Sequence, residues 1–394
     1  MTQRLCGLLL LALAIVPVNA LAAEKVTTLR VPDGGIAPQA EVDADGAVHL
    51  VYFKRTEGHL GDLYYVRSGD GGATFSKPLR VNSQPNSAIS VRHPRVALGR
   101  NGRVHVVWNG SNVAKPKGPS NPAQPADSPY NGTPLLYARL AEDGKSFEPQ
   151  RNLMTKTFAL DGGGAVAADG KGNVYAVWHA GHEDLPEGEP GRRVWVARST
   201  DDGATFAPEE MAWDQPTGAC GCCHVRAWAG GDGTVHVLFR GARTGIERDT
   251  YLLISTDGGK SFSGADVHPW RVSTCPMSTY ALRATPRGVV AAWETEGQVY
   301  FGNIDSAGKP VAQLQPAPGE AKDRKMPDLA TNRRGETLRV WTEGMAWKRG
   351  GAVAWQLHDR DGRPTDVKGK ADGVPPDGAA AVFPRKDGSF VIIY

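Results

Sequence analysis

The sequence predicts an all-β protein, a seven-bladed β-propeller built of mostly four-stranded blades. Three observations carry that reading. One hairpin unit recurs along the whole chain, the spacing of its copies suits a propeller blade, and no stretch keeps a 3.6-residue apolar period over three turns. Each copy is a short alternating or apolar run, a turn containing Gly, and a second run ending on an aromatic residue.

Unit one runs from Ala37-Pro38-Gln39-Ala40 through Gly46 to Val51-Tyr52-Phe53. Unit two carries His93-Pro94-Arg95-Val96-Ala97-Leu98 and, after Gly102, Arg103-Val104-His105-Val106-Val107-Trp108. Further copies lie between Gly172 and Trp178, Gly233 and Phe239, Gly288 and Trp293, and Gly335 and Trp341. The last runs from Asp377 through Gly388 to Tyr394. The closing aromatics Phe53, Trp108, Trp178, Phe239, Trp293 and Trp341 recur every 48 to 70 residues. Spacing of that order fits a four-stranded blade with long loops. A lone blade cannot bury both faces, so neighbours must supply the core and ring closure removes the open edges. The chain ends on the second strand of its seventh copy, so residues 26–31 are expected to complete that blade from the N-terminal side. Six blades plus a divergent hairpin is the alternative.

Composition is that of a folded domain: 40 % apolar and 22 % charged residues in a chain of 394, with 48 Gly and 28 Pro for frequent turns. The 45 basic and 42 acidic side chains leave a formal charge of +3, which excludes a nucleic-acid binder working by bulk charge. Arg4, the Leu-rich run to Val16 and the small residues around Ala22-Ala23 form a secretory leader pattern, too short to span a bilayer. The expected organisation is a signal peptide over 1–23 and a single propeller domain over 24–394. The product is then exported, periplasmic or extracellular, with no membrane span.

A second repeated element lies between the hairpins. Ser68-Gly69-Asp70-Gly71-Gly72-Ala73-Thr74-Phe75 returns as Ser199-Thr200-Asp201-Asp202-Gly203-Ala204-Thr205-Phe206 and as Ser255-Thr256-Asp257-Gly258-Gly259-Lys260-Ser261-Phe262. A weaker copy spans residues 140–147. The Asp can accept from nearby N–H groups, Gly takes the backbone conformations closed to other residues, and Phe plugs the blade.

This pattern resembles the Asp-box, or BNR repeat, and over essentially its whole mature length the chain resembles the sialidase-like superfamily of β-propellers. The resemblance implies that the Asp-box lies between the third and fourth strands, on the face opposite the active site, as a folding element. It also implies a glycan-acting protein, with glycoside hydrolysis as the reaction if the chain is an enzyme. Sialidases use three arginines for the substrate carboxylate, an Asp acid/base, and a Tyr nucleophile activated by Glu. The chain departs from that pattern at the first arginine, because Ile36-Ala37-Pro38 stands where Arg-Ile-Pro is expected. Arg92-His93-Pro94 has the right spacing, but in the second unit.

Propeller geometry pools the residues before each first strand and after each second strand on one face. The first group includes His93, Arg95, His224, Arg226, Tyr280, Lys325 and Asp328; the second includes Asn109, His179, His182, Glu183, Asp184, Arg240, Glu294 and Glu343. From these, Tyr280 with Glu294 is the candidate nucleophile and activator, and Glu183 or Asp184 the candidate acid/base. Arg95 with Arg226 forms the candidate anion clamp, flanked by His93 and His224 for substrate binding. Solvated strand ends and core packing are the plain alternatives for each. Trp213 and Trp347 are candidates for stacking on sugar rings, while Trp108, Trp178, Trp293 and Trp341 read as blade core. Residues 111–132, rich in Pro and Asn, form a long loop expected over the same face.

Beyond the leader, four cysteines remain: Cys220, Cys222, Cys223 and Cys275. The favoured reading is two disulfides, one through Cys275 joining units four and five and another within the 220–223 cluster. No cofactor is favoured. The alternative is a copper or zinc site drawn from Cys220, Cys222, Cys223, His224, Cys275 and Met277. The expected partner is a glycan or glycoconjugate. A non-catalytic propeller binding carbohydrate, or an envelope or extracellular protein, is the competing function.

Overall fold

The computed structural model describes residues 25–304, 314–346 and 348–394; the leader and Trp347 lie outside them. Seven sheets are arranged as the blades of a propeller. Their innermost strands are Ile36–Val42, Arg95–Leu98, Ala165–Ala168, Arg226–Ala229, Ala281–Thr285, Lys325–Thr331 and Ala381–Pro384. Each is followed by antiparallel neighbours stepping outward. In blade 3 the order is Ala165–Ala168, Val174–Ala180, Arg193–Ser199 and Glu210–Met211. Several outermost strands are only two residues long, which leaves little free edge for another chain to pair with.

Closure follows the expected route. Val26–Leu29 lies parallel to Phe390–Ile393, pairing Val26 with Phe390 and Leu29 with Ile393. The seventh blade thus has three strands, two from the end of the chain and one from its beginning. The six-bladed alternative is discarded.

The core is a ring of interfaces rather than one centre. Along Val174–Ala180 the side chains alternate: Val174, Ala176 and Trp178 pack with Val107, Leu135 and Tyr137 of blade 2. Tyr175 and Val177 pack the other way, with Val235, Val237 and Phe239 of blade 4. The period of two is the strand's own, so a residue's parity decides which neighbour it meets. Similar apolar clusters join blades 1 and 2, 4 and 5, 5 and 6, 6 and 7, and 7 and 1. Trp108, Trp178, Trp293 and Trp341 are all buried in them, as expected.

The three repeated turns have one geometry. Ser68 Oγ donates to Asp70 at 2.7 Å, and Asp70 accepts from the Thr74 N–H at 2.9 Å and the Thr74 hydroxyl at 2.6 Å. The turns at Asp201 and Asp257 repeat these bonds. The Thr205 N–H and hydroxyl hold the Asp201 carboxyl down to about 2. Gly203 takes φ 75°, and a side chain there would run into the Tyr137 hydroxyl. Each turn joins a third strand to a fourth, at the end of the blade where Gly102 and Gly172 turn the first strand into the second. The carboxylates of these turns are therefore spent on local structure.

Candidate functional site at the propeller mouth

The opposite face receives the leading ends of the inner strands and the exits of the second strands. Arg95 of blade 2 donates to Gln39 Oε1 of blade 1 at 2.7 Å, and Arg226 of blade 4 reaches the same oxygen at 3.3 Å. Arg283 of blade 5 donates to Glu41 of blade 1 at 2.9 Å. Asp328 of blade 6 accepts from the Val382 N–H of blade 7 at 2.9 Å. Side chains up to 242 residues apart thus meet around one channel.

These groups largely satisfy one another. Burial raises the Asp328 carboxyl against the pull of Arg226 and Arg283. Burial and the charge of Arg226 press Arg95 downward. His93 and His224 stack edge to face at 4.9 Å between ring centres. Burial, helped by Arg95, holds His93 at about 3, and burial also lowers His224, so both are neutral imidazoles near neutral pH. Arg95, Arg226, His93 and His224 are therefore brought together, with the arginines turned onto internal partners.

Tyr280 and Glu294 are also neighbours, but they are sealed. They are 2 % and 1 % exposed, and the buried Arg240 near both has its Nη2 3.5 Å from Glu294 Oε2. Burial pushes the Tyr280 phenol well up and raises Glu294 despite Arg240. A nucleophilic phenolate needs the reverse. Glu183 and Asp184 are exposed on the loop between the second and third strands of blade 3, with Asp184 3.4 Å from His182, which stacks on Trp195. Trp213 packs beside Tyr251 on the blade's outer side. Lys325 donates to the Pro276 carbonyl, and Glu343 pairs with Arg324.

The open part of the mouth is a cleft of about 730 Å³ over blades 1 to 3. At its base Arg92 Nη2 donates to Asp161 Oδ1 at 2.6 Å, Asn109 Nδ2 to the Asp161 carbonyl at 2.8 Å, and Arg192 lies 3.9 Å from Asp161 Oδ2. Glu57 and His59 come from blade 1. The long 111–132 loop forms a wall with Asn121, Gln124, Asn131 and Tyr130, the last 72 % exposed. Its neck is tied by a Gly118 N–H to Gly132 carbonyl bond of 2.9 Å.

Asp161, Arg192 and Tyr130 were not selected from sequence. Asp161 obeys the leading-end rule that picks His93, His224 and Tyr280, and it precedes Gly162-Gly163-Gly164. A side chain at Gly162 would collide with the Cys223 carbonyl and His179. That glycine run is the signal that this end approaches the axis closely.

The cysteines divide. Cys222 and Cys275 form a disulfide joining the segments that lead into blades 4 and 5, as expected for Cys275. The second expected bridge is absent: Cys220 and Cys223 are free, buried thiols. Burial would raise Cys223, but the bond from Cys220 and the Arg240 charge outweigh it and bring it to about 6, while Cys220 rises. His224, included in the alternative metal set, points away to Arg95 and the Val91 carbonyl. Met277 is half-buried in the segment entering blade 5.

Comparison with solved structures gives propellers. An uncharacterised protein from Dyadobacter fermentans superimposes with a TM-score of 0.54 at 15 % identity, covering 85 % of this chain and 97 % of that one. The α-L-arabinanase of Penicillium chrysogenum, solved with arabinobiose, gives 0.54 at 13 %, covering 84 % and 95 %. Trypanosoma rangeli sialidase gives 0.51 at 12 %, covering 80 % of this chain and 54 % of that protein. What they share with it is the propeller. No family model and no curated protein matches the sequence. Among the described residues, no helix is long and apolar enough to cross a membrane.

Proposed function

We propose that this chain is an exported, glycan-acting propeller whose substrate lies in the cleft over blades 1 to 3. The observation that carries this reading is the lining itself: amide side chains, an imidazole, one exposed tyrosine ring and an Arg92–Asp161–Arg192 group around a concave space. Amides and charged pairs match hydroxyl-rich ligands, and an exposed ring offers a stacking face. The leader pattern and the Cys222–Cys275 bridge support export. The propellers of similar shape include an arabinanase and a sialidase, which fits a glycan ligand.

Glycoside hydrolysis is the leading reaction, because Glu57 and Asp161 both line the cleft and two carboxylates suffice for that chemistry. In this reading they replace the sealed Tyr280–Glu294 pair and the outlying Glu183 and Asp184. Binding without turnover is the second reading, favoured by the bonds that tie Asp161 to Arg92 and Asn109. The test is a panel of arabinose- and sialic acid-terminated and other oligosaccharides, with both binding and released sugar measured. Turnover lost in Asp161→Asn and in Glu57→Gln supports hydrolysis. Binding lost in Arg92→Ala without any turnover supports the second reading. Glycan binding or release untouched by all three substitutions defeats both.

A further inference from the structure

The cysteine cluster has a construction that neither the fold nor the cleft requires. Residues 218–223 fold back at the mouth of blade 4, held by the Cys220 N–H to the Arg240 carbonyl at 2.9 Å and the Ala219 N–H to the Glu189 carbonyl at 3.0 Å. The Sγ atoms of Cys220, Cys222 and Cys223 lie within 4.8 Å of one another. Cys220 and Cys223 are 0 % and 1 % exposed. A disulfide takes Cys222 to Cys275 and leaves the inner two as thiols.

The surroundings of these thiols are unusual in a second way. Arg240, Tyr280 and Glu294 are almost wholly buried, yet Arg240 Nε, the Tyr280 hydroxyl and Glu294 Oε2 have no hydrogen-bond partner. Nearby Arg248 pairs with Glu189 at 2.8 Å but leaves its Nε and Nη1 unpartnered. Buried polar atoms without partners are costly and call for an explanation. An anionic group on the sulfurs supplies one for the guanidinium donors, while Glu294 Oε2 keeps its 3.5 Å contact with Arg240 Nη2.

We propose that Cys220 and Cys223 form a buried site for one copper(I) ion. Thiolates are soft ligands and copper(I) is a soft cation that two of them satisfy. Metal–sulfur bonds of about 2.3 Å, as in zinc thiolates, let one ion bridge sulfurs up to about 4.6 Å apart. Copper(I) held by two thiolates carries one negative charge, which the nearby Arg240 and Arg248 guanidiniums offset, as their charges already favour the thiolates of Cys223 and Cys220. Binding releases the thiol protons and changes no oxidation state. Zinc fits less well. It takes four ligands in closed sites, whereas three sulfurs gather here, one already in a disulfide, and the His224 imidazole is turned to the channel.

The test is titration of the full-length protein, purified without oxygen, with copper(I) in competition with a coloured copper(I) chelator. One ion per chain is expected, with ultraviolet thiolate-to-copper absorption. Cys220→Ser and Cys223→Ser should each weaken binding by more than about 100-fold, beyond the effect of an outer-shell change. Cys275→Ser, which frees Cys222 as a third sulfur, should retain one ion and hold it more tightly. Circular dichroism checks that the variants fold; where one does not, the copper(I) stoichiometry and thiolate-to-copper absorption of the wild-type protein decide. The proposal is overturned by no copper(I) uptake, by uptake unchanged in the Cys220→Ser/Cys223→Ser protein, or by intact mass showing a native Cys220–Cys223 disulfide.

Discussion

Replacing Glu41 by Gln removes the carboxylate that blade 1 extends to Arg283 of blade 5, a bond of 2.9 Å between blades that are not neighbours in the ring. Exposed ion pairs contribute roughly 0–1 kcal/mol, and breaking a fully buried pair costs about 3–5 kcal/mol. Glu41 and Arg283 retain 20 % and 22 % side-chain exposure, so their value lies between those limits. We expect Glu41→Gln to cost about 2 kcal/mol, with Arg226, 4.0 Å from the same carboxylate, adding little. Arg283→Gln should cost a similar amount. The double variant should lose less than the sum, with a coupling of about 1–2 kcal/mol, because neither partner is left facing a void. Urea midpoints at constant m-value provide the assay. Additivity to within about 0.5 kcal/mol would refute the reasoning, since it would mean that the inner strands of blades 1 and 5 do not meet across the channel.

Other consequences follow from buried polar groups. Burial holds His236 and His358 at about 4, below the ordinary 6.5, so the unfolded chain takes up their protons first on acidification. Stability should therefore fall as pH drops from about 6.5 towards 4, by up to about 1.4 kcal/mol per pH unit for each histidine. A His236→Gln/His358→Gln protein should show a flatter dependence of melting temperature on pH; an unchanged slope would assign the effect elsewhere. Glu209 is wholly buried and, among the described residues, has no cation bonded to it; it accepts from the N–H groups of Thr155, Lys156 and Thr157, each at 3.0 Å, and from both Thr hydroxyls. Glu209→Ala should cost about 3–5 kcal/mol by orphaning those donors; a loss below about 1 kcal/mol by denaturant titration would show that water replaces the carboxylate.

The blade count and the closing strand were legible because they rest on local signals: a period of two, a glycine at each turn and an aromatic at each strand end. Residues 26–31 could be placed because an unfinished last hairpin leaves one edge to fill. The mouth was legible as a face but not as a site. Whether a leading end opens to solvent or is sealed depends on the loop above it, and no strand pattern records that. Tyr280 is sealed within the apolar cluster between blades 4 and 5, whereas Asp161 lies half open beneath a loop tied at its neck. The cysteines show the same limit. Their even number suggested two bridges, but pairing depends on which sulfurs the turn brings face to face.

The most direct test of the account is hydrogen exchange of the protein with and without the best glycan found by screening. Protection is predicted at residues 89–92, 109–112 and 159–161, the strand ends and loops that line the cleft. Protection confined to the other face, around the concavity formed by Arg100, Arg103, Arg139 and Asp201, would contradict it.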